Sequence, residues 1–212
     1  MNTIYLNKAH YPVYTLGYGR RAVIWFQGCT LGCRGCVSKD TWHFDQNKRI
    51  DISLIITWLH SCMGRGCDGL TLTGGEPFQQ PSALLTLITA ARQYALEKQQ
   101  TIDILCYTGY SGQTVSARHP TILDEIDVLI PEPYQQDKPG QHPLSGSQNQ
   151  PIVCRSKLAK KRYNQLTLPH TLQASYQAGH LYLTGVPKQG QLQEITDQLA
   201  EQGIRFKETS WQ

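Results

Sequence analysis

Four short apolar runs, at residues 22–26, 69–73, 101–106 and 127–130, alternate with stretches long enough to form helices. Residues 51–62 carry apolar positions at helical spacing behind a capping aspartate, Asp51, and residues 81–97 do so behind Pro81, which suits a first helical turn. A shorter helix is expected at 120–124. Strands separated by helices imply a parallel sheet, because parallel neighbours require a long crossover. The expected fold is therefore α/β, an open partial (βα) barrel with a mainly parallel sheet and its active site at the carboxyl ends of the strands. Towards the C-terminus the same reading gives a strand at 181–184, a helix at 189–202 stopped by Gly203, and a last strand at 204–207. Residues 134–149, dense in Gln, Pro, Gly and Ser, read as a loop that could cover a site.

With 212 residues and 40% hydrophobic content, the chain is sized for a single domain, residues 1–212, around one core. A net charge of +4, spread along the sequence, lacks the clustered basic footprint of a nucleic-acid-binding protein. The first residues, Met1-Asn2-Thr3-Ile4-Tyr5, show no basic stretch followed by a long apolar one, so neither a signal peptide nor a membrane span is read there. A soluble, cytoplasmic protein is expected. Its seven cysteines are odd in number for a closed disulfide framework, and a reducing compartment turns clustered cysteines towards metal binding.

Three of those cysteines are tightly clustered. The run Gln27-Gly28-Cys29-Thr30-Leu31-Gly32-Cys33-Arg34-Gly35-Cys36 leaves the first apolar run as a glycine-containing loop with three thiols in eight positions. Iron–sulfur clusters usually take four thiolates, so three leave one iron open to another ligand. The competing readings are a zinc site completed by His43, a redox pair at Cys33 and Cys36 with Cys29 idle, and buried inert thiols. Cys62, Cys67, Cys106 and Cys154 are too scattered to suggest a second cluster, and one cluster is expected. The basic run 155–162 reads as a solvated helix face, and Trp25 and Trp42 as packing anchors.

The C-x3-C-x2-C spacing of Cys29, Cys33 and Cys36 resembles the signature of the radical S-adenosylmethionine superfamily. Within it, the chain is similar to the small activating enzymes of glycyl-radical proteins, those of anaerobic ribonucleotide reductase and pyruvate formate-lyase. Gly17-Tyr18-Gly19-Arg20-Arg21 resembles the G-P-G-x-R approach to the first strand, and Asp40-Thr41-Trp42 the D-T-W after the cluster loop. Gly74-Gly75-Glu76-Pro77 matches the G-G-E-P motif, and residues 145–150 resemble a late G-S-x-N-Q segment.

The resemblance implies a radical S-adenosylmethionine barrel, one 4Fe-4S cluster on Cys29, Cys33 and Cys36, and S-adenosylmethionine bound at the open iron. It implies that Gly74 and Gly75 let backbone approach the cofactor, that Glu76 accepts from its ammonium group, and that Gly35, Val37 and Thr108 also contact it. Reductive cleavage would give methionine and a 5′-deoxyadenosyl radical that takes hydrogen from a glycine of a partner protein. A flavodoxin or ferredoxin would supply the electron. No catalytic acid, base or nucleophile is singled out.

Leu16, Tyr18 and Ser38 depart from the residues usual in activating enzymes, and residues 180–207 extend beyond the shortest of them. Two further functions therefore stand beside the first. One is a radical maturase acting on a ribosomal peptide or a small molecule, and the other is a non-catalytic iron–sulfur electron carrier or sensor.

Overall fold

The computed structural model describes residues 3–168, 171–177 and 179–211. Its centre is β2 (Arg21–Phe26), buried at all six positions, beside β4 (Gly69–Gly74), β5 (Asp103–Tyr107) and β6 (Val128–Ile130). These four strands are parallel in the order β2, β4, β5, β6. Continuous apolar runs make sense there, since an inner parallel strand is covered on both faces. Helix α1 (Ile52–Gly64) connects β2 to β4, α2 (Pro81–Glu97) connects β4 to β5, and α3 (Gly112–Arg118) with α4 (Pro120–Asp124) leads to β6. Asp51 caps α1 by accepting from the Ser53 N–H at 2.8 Å.

Three antiparallel strands flank this core. The long β1 (Thr3–Val13) pairs with β2, the short β3 (Arg49–Asp51) with β1, and β7 (Val153–Cys154) with β6. The seven-stranded order β3-β1-β2-β4-β5-β6-β7 has two ends and is not closed into a barrel. Sequence reading missed β1 because Asn7, Lys8, His10 and Pro12 break its apolar pattern. The structure accommodates them: β3 covers β1 only over Thr3–Tyr5, so Pro12 lies where no strand needs its missing N–H.

Side chains of alternating strand positions feed two different layers. Ala22, Ile24, Phe26, Leu70, Leu72 and Ile104 pack under α1 and α2 in the main core. Val23, Trp25, Leu105 and Val128 face the other way. That second face is covered by α5 (Lys157–Tyr163), by the buried Leu144, and by a separate hairpin of β8 (Leu172–Gln177) and β9 (His180–Gly185).

At its amino end the sheet is tied by a buried ionic cluster. Arg21 on β2 donates to Thr71 on β4 and sits 2.9 Å from Asp103 on β5, while Arg162 and Tyr163 of α5 reach the same carboxylate at 2.6 and 2.8 Å. The basic run thus sends Arg162 inward and leaves Lys157, Lys160 and Lys161 exposed.

Helix α6 (Gln191–Glu201) forms inside the expected range, and Gly203 ends it with φ near 81° while the Ile204 N–H bonds back to Leu199. Residues 204–207, expected as a strand, are not one. A strand needs a neighbouring ladder, and the tail instead runs to the cysteine loop, where the Ser210 carbonyl accepts from the Lys39 N–H. Residues 134–149 form an ordered flap rather than a free loop: Leu144 and Ser147 are fully buried, and the Tyr107 hydroxyl donates to the Leu144 carbonyl.

Candidate active site

β2 ends at Phe26, and the next residues turn over the carboxyl ends of the parallel strands. Gly28 accepts a φ near 104° there, with its Cα against the Phe44 ring, where a side chain would not fit. Cys29, Cys33 and Cys36 follow as free, half-buried thiols. Each is met by a backbone N–H: Cys29 by that of Leu31, Cys33 by that of Tyr134 in the flap, and Cys36 by that of Ser38 at 3.4 Å. Burial pushes the Cys29 and Cys33 thiols above the ordinary range, so binding a metal there would expel protons from them.

Among the described residues no three His, Cys, Asp or Glu side chains converge on one metal-ion position. A cluster makes a different demand, one thiolate on each of three irons with hydrogen bonds to the sulfurs. Three thiols in one loop, each facing an N–H donor, fit that demand. Cys62, Cys67 and Cys106 lie buried in the main core, where Cys67 bonds the Ala22 N–H and the Gly69 carbonyl. They serve packing.

The Gly74-Gly75-Glu76 motif acts first on the protein itself. A Cβ on Gly74 would meet the Phe26 backbone, and one on Gly75 would stand 2.3 Å from the Gly28 carbonyl. The pair therefore lets the end of β4 pass directly beneath the cysteine loop, which the Glu76 N–H holds by donating to Gly28 at 2.8 Å. Glu76 is 1% exposed, and its carboxylate accepts from the Phe78 N–H, the Thr108 hydroxyl and the Gly109 N–H. Burial lifts its pKa to about 7 against those donors. Glu76 and Thr108 thus join the ends of β4 and β5. Gly35, with φ near 75°, leaves room for the Gln136 side chain.

A cavity of about 190 Å³ opens beside the third cysteine, lined by Cys36, Val37, Thr73, Tyr107 and Tyr134. Gly185, Val186 and Pro187, from the end of the hairpin, form another part of its wall, with Leu16, Trp25 and Gln150. Of the sequence-chosen cofactor residues, Val37 lines this cavity, while Gly74, Gly75, Glu76 and Thr108 form the frame beside it. Thr73, Tyr107 and Tyr134 were missed, although Thr73 and Tyr107 directly precede chosen positions. A larger cavity of about 330 Å³ adjoins it through Trp25, Val37, Ser38, Gly185 and Pro187.

A three-thiol loop beside a cavity, at the carboxyl ends of an open, mainly parallel sheet, has the donor set of an iron–sulfur enzyme whose three cysteines would leave one iron available to a second ligand. The family described as "4Fe-4S single cluster domain" matches residues 15–153. The anaerobic ribonucleoside-triphosphate reductase-activating protein of Pasteurella multocida is 33% identical over 126 residues, 58% of this chain and 78% of its own length. That of Haemophilus influenzae is 31% identical over 154 residues, 70% of this chain and 97% of its own length. A pyruvate formate-lyase-activating enzyme of Clostridium pasteurianum is 27% identical over 133 residues, 61% of this chain and 52% of its own length. The chain belongs to the 4Fe-4S single cluster family and, within it, to the anaerobic ribonucleoside-triphosphate reductase-activating proteins, which are radical S-adenosylmethionine enzymes.

Proposed function

We propose that this chain activates a glycyl radical enzyme of the anaerobic ribonucleoside-triphosphate reductase type by removing a hydrogen atom from one backbone glycine. Cys29, Cys33 and Cys36 hold one 4Fe-4S cluster, and S-adenosylmethionine binds in the cavity beside Cys36 and Val37. The observation that carries this reading is the loop itself: three free thiols at the strand ends, each facing a backbone N–H, next to a cavity. A cluster held there would, once reduced, supply the one electron that cleaves the carbon–sulfur bond of S-adenosylmethionine to methionine and a 5′-deoxyadenosyl radical.

The chain's own residues hold this chemistry in place. Gly74 and Gly75 seat the cysteine loop on β4, and Glu76 with Thr108 locks that seat to β5. Gly35 lets Gln136 of the flap close on the loop, and the flap supplies the Tyr134 N–H to Cys33. Trp25, Tyr107 and Val37 keep the cavity wall apolar, which excludes water from a radical that would otherwise be quenched. The open sheet is read as the partial barrel of this superfamily, with residues 1–212 acting as one unit. Flavodoxin or ferredoxin is the proposed reductant and the cytoplasm the proposed location. Among the described residues no helix is long and apolar enough to cross a membrane.

Anaerobic reconstitution with iron and sulfide, followed by reduction with S-adenosylmethionine present, tests the reading. Release of 5′-deoxyadenosine and a glycyl radical signal in an added anaerobic ribonucleoside-triphosphate reductase are expected. Cofactor cleavage accompanied by mass change in a peptide or small molecule, with no glycyl radical, rejects the assigned substrate. Absence of cleavage by a cluster-loaded chain rejects the enzyme.

A further inference from the structure

The family match ends at residue 153, and 70% of this chain accounts for 97% of the Haemophilus relative. Residues 172–177 and 179–211 lie beyond that family match. They are built onto the site side of the sheet. The Thr15 hydroxyl donates to the Thr184 carbonyl at 2.8 Å, in a buried position. Gln173 brackets the end of β1, accepting from the Tyr14 N–H and donating to the Pro12 carbonyl. The tail reaches the residues that follow Cys36: Ser210 accepts from the Lys39 N–H at 2.9 Å, and its hydroxyl donates to the Val37 carbonyl at 3.3 Å.

These anchors deliver Gly185-Val186-Pro187 to the cavity that holds Cys36, Val37 and Thr73. We propose that this turn is a cofactor-contacting wall, with Val186 and Pro187 covering the adenosyl half of S-adenosylmethionine opposite Val37 and Tyr107. This rests on the function proposed above. The chemistry of the cavity suits a flat heterocycle on a sugar: aliphatic and aromatic surfaces dominate, and Thr73 and Gln150 offer a few hydrogen-bonding groups at its edge. Hydrophobic cover supplied from outside the matched residues 15–153 makes cofactor retention in this chain depend on its C-terminal part.

Two measurements on the anaerobically reconstituted full chain test the wall. Amide hydrogen exchange is followed across residues 181–188 with and without S-adenosylmethionine, and slowing of several-fold on addition is expected. Equilibrium dialysis with radiolabelled S-adenosylmethionine compares Val186→Trp and Val186→Ala with wild type. Val186→Trp, which fills the cavity, should weaken binding by about tenfold or more, and Val186→Ala by about threefold. Tyr176→Ala, on the outer side of the hairpin and 75% exposed, should bind within about twofold of wild type. Iron content reports whether each variant is assembled. If Val186→Trp loses its iron, the exchange result and Val186→Ala decide. Unchanged exchange over 181–188, or wild-type affinity in an iron-replete Val186→Trp, overturns the wall and leaves the function standing. Failure of wild type itself to bind S-adenosylmethionine overturns the function and the wall together.

Discussion

Arg21 and Asp103 face each other at 2.9 Å with neither side chain exposed to solvent, at the end of the sheet opposite the cysteine loop. Burial alone would raise the Asp103 carboxyl, but the Arg21 guanidinium, with Arg162 and Tyr163, holds it below its ordinary value of 3.8. Removing one partner leaves the other charge buried without compensation. Asp103→Asn should therefore cost about 3–5 kcal/mol, or roughly 10 °C in melting temperature. A depressed carboxyl contributes stability above its unfolded pKa and loses it as pH falls through the folded one. Thermal melts of wild type and Asp103→Asn should differ most at neutral pH and converge as the pH drops below about 4.

Cys33→Ala should abolish the cluster and S-adenosylmethionine cleavage, because two thiolates do not define the site. Iron analysis and visible absorption check this. Wild type should carry about four irons per chain, and about eight would mean a second cluster.

Cys62→Ala and Cys67→Ala should each leave the iron content at the wild-type level. Both thiols are buried in the main core, so the measurable change is a loss of about 1 kcal/mol in denaturant unfolding.

Gly75→Ala and Gly32→Ala separate crowding from backbone strain. A Cβ at Gly75 meets the Gly28 carbonyl at 2.3 Å, backbone that holds the cluster loop, and the variant should lose about 1–3 kcal/mol together with most of its capacity to assemble the cluster. At Gly32 nothing stands within 4 Å, but φ is +59°, so the cost should be about 1–2 kcal/mol with cluster assembly kept. Unfolding curves and reconstituted iron content read the contrast.

Thr108→Val removes one of the three donors to the buried Glu76 carboxylate. A loss of about 1–3 kcal/mol is expected from the unmet acceptor, measured as a lower melting temperature of the iron-free protein.

The inner strands were legible because each is buried on both faces and so reads as an unbroken apolar run; β2 is the clearest case. β1 was not, since Lys8 and His10 interrupt its apolar pattern, and only the fold lays Lys8 over the Trp25 ring and packs His10 against Trp25 and Tyr182. The short α3 opens at Gly112 and offers too few turns for a period to emerge. Residues 204–207 have strand-like composition, yet pairing depends on a neighbour that the tertiary structure does not supply. For the glycine pair, the motif pointed to an approach by the cofactor, whereas the close approach seen in the fold is that of the Gly28 backbone, which no local pattern carries.

By itself the sequence determined the succession of parallel strands and the three-thiol loop after the first of them, because apolar runs and ligand spacing are properties of neighbouring residues. The tertiary structure alone decided what surrounds that loop. The Tyr134 N–H on Cys33, the Glu76–Thr108 brace and the Val186 wall join positions far apart in the chain, and such contacts arise only once burial has brought separate elements together.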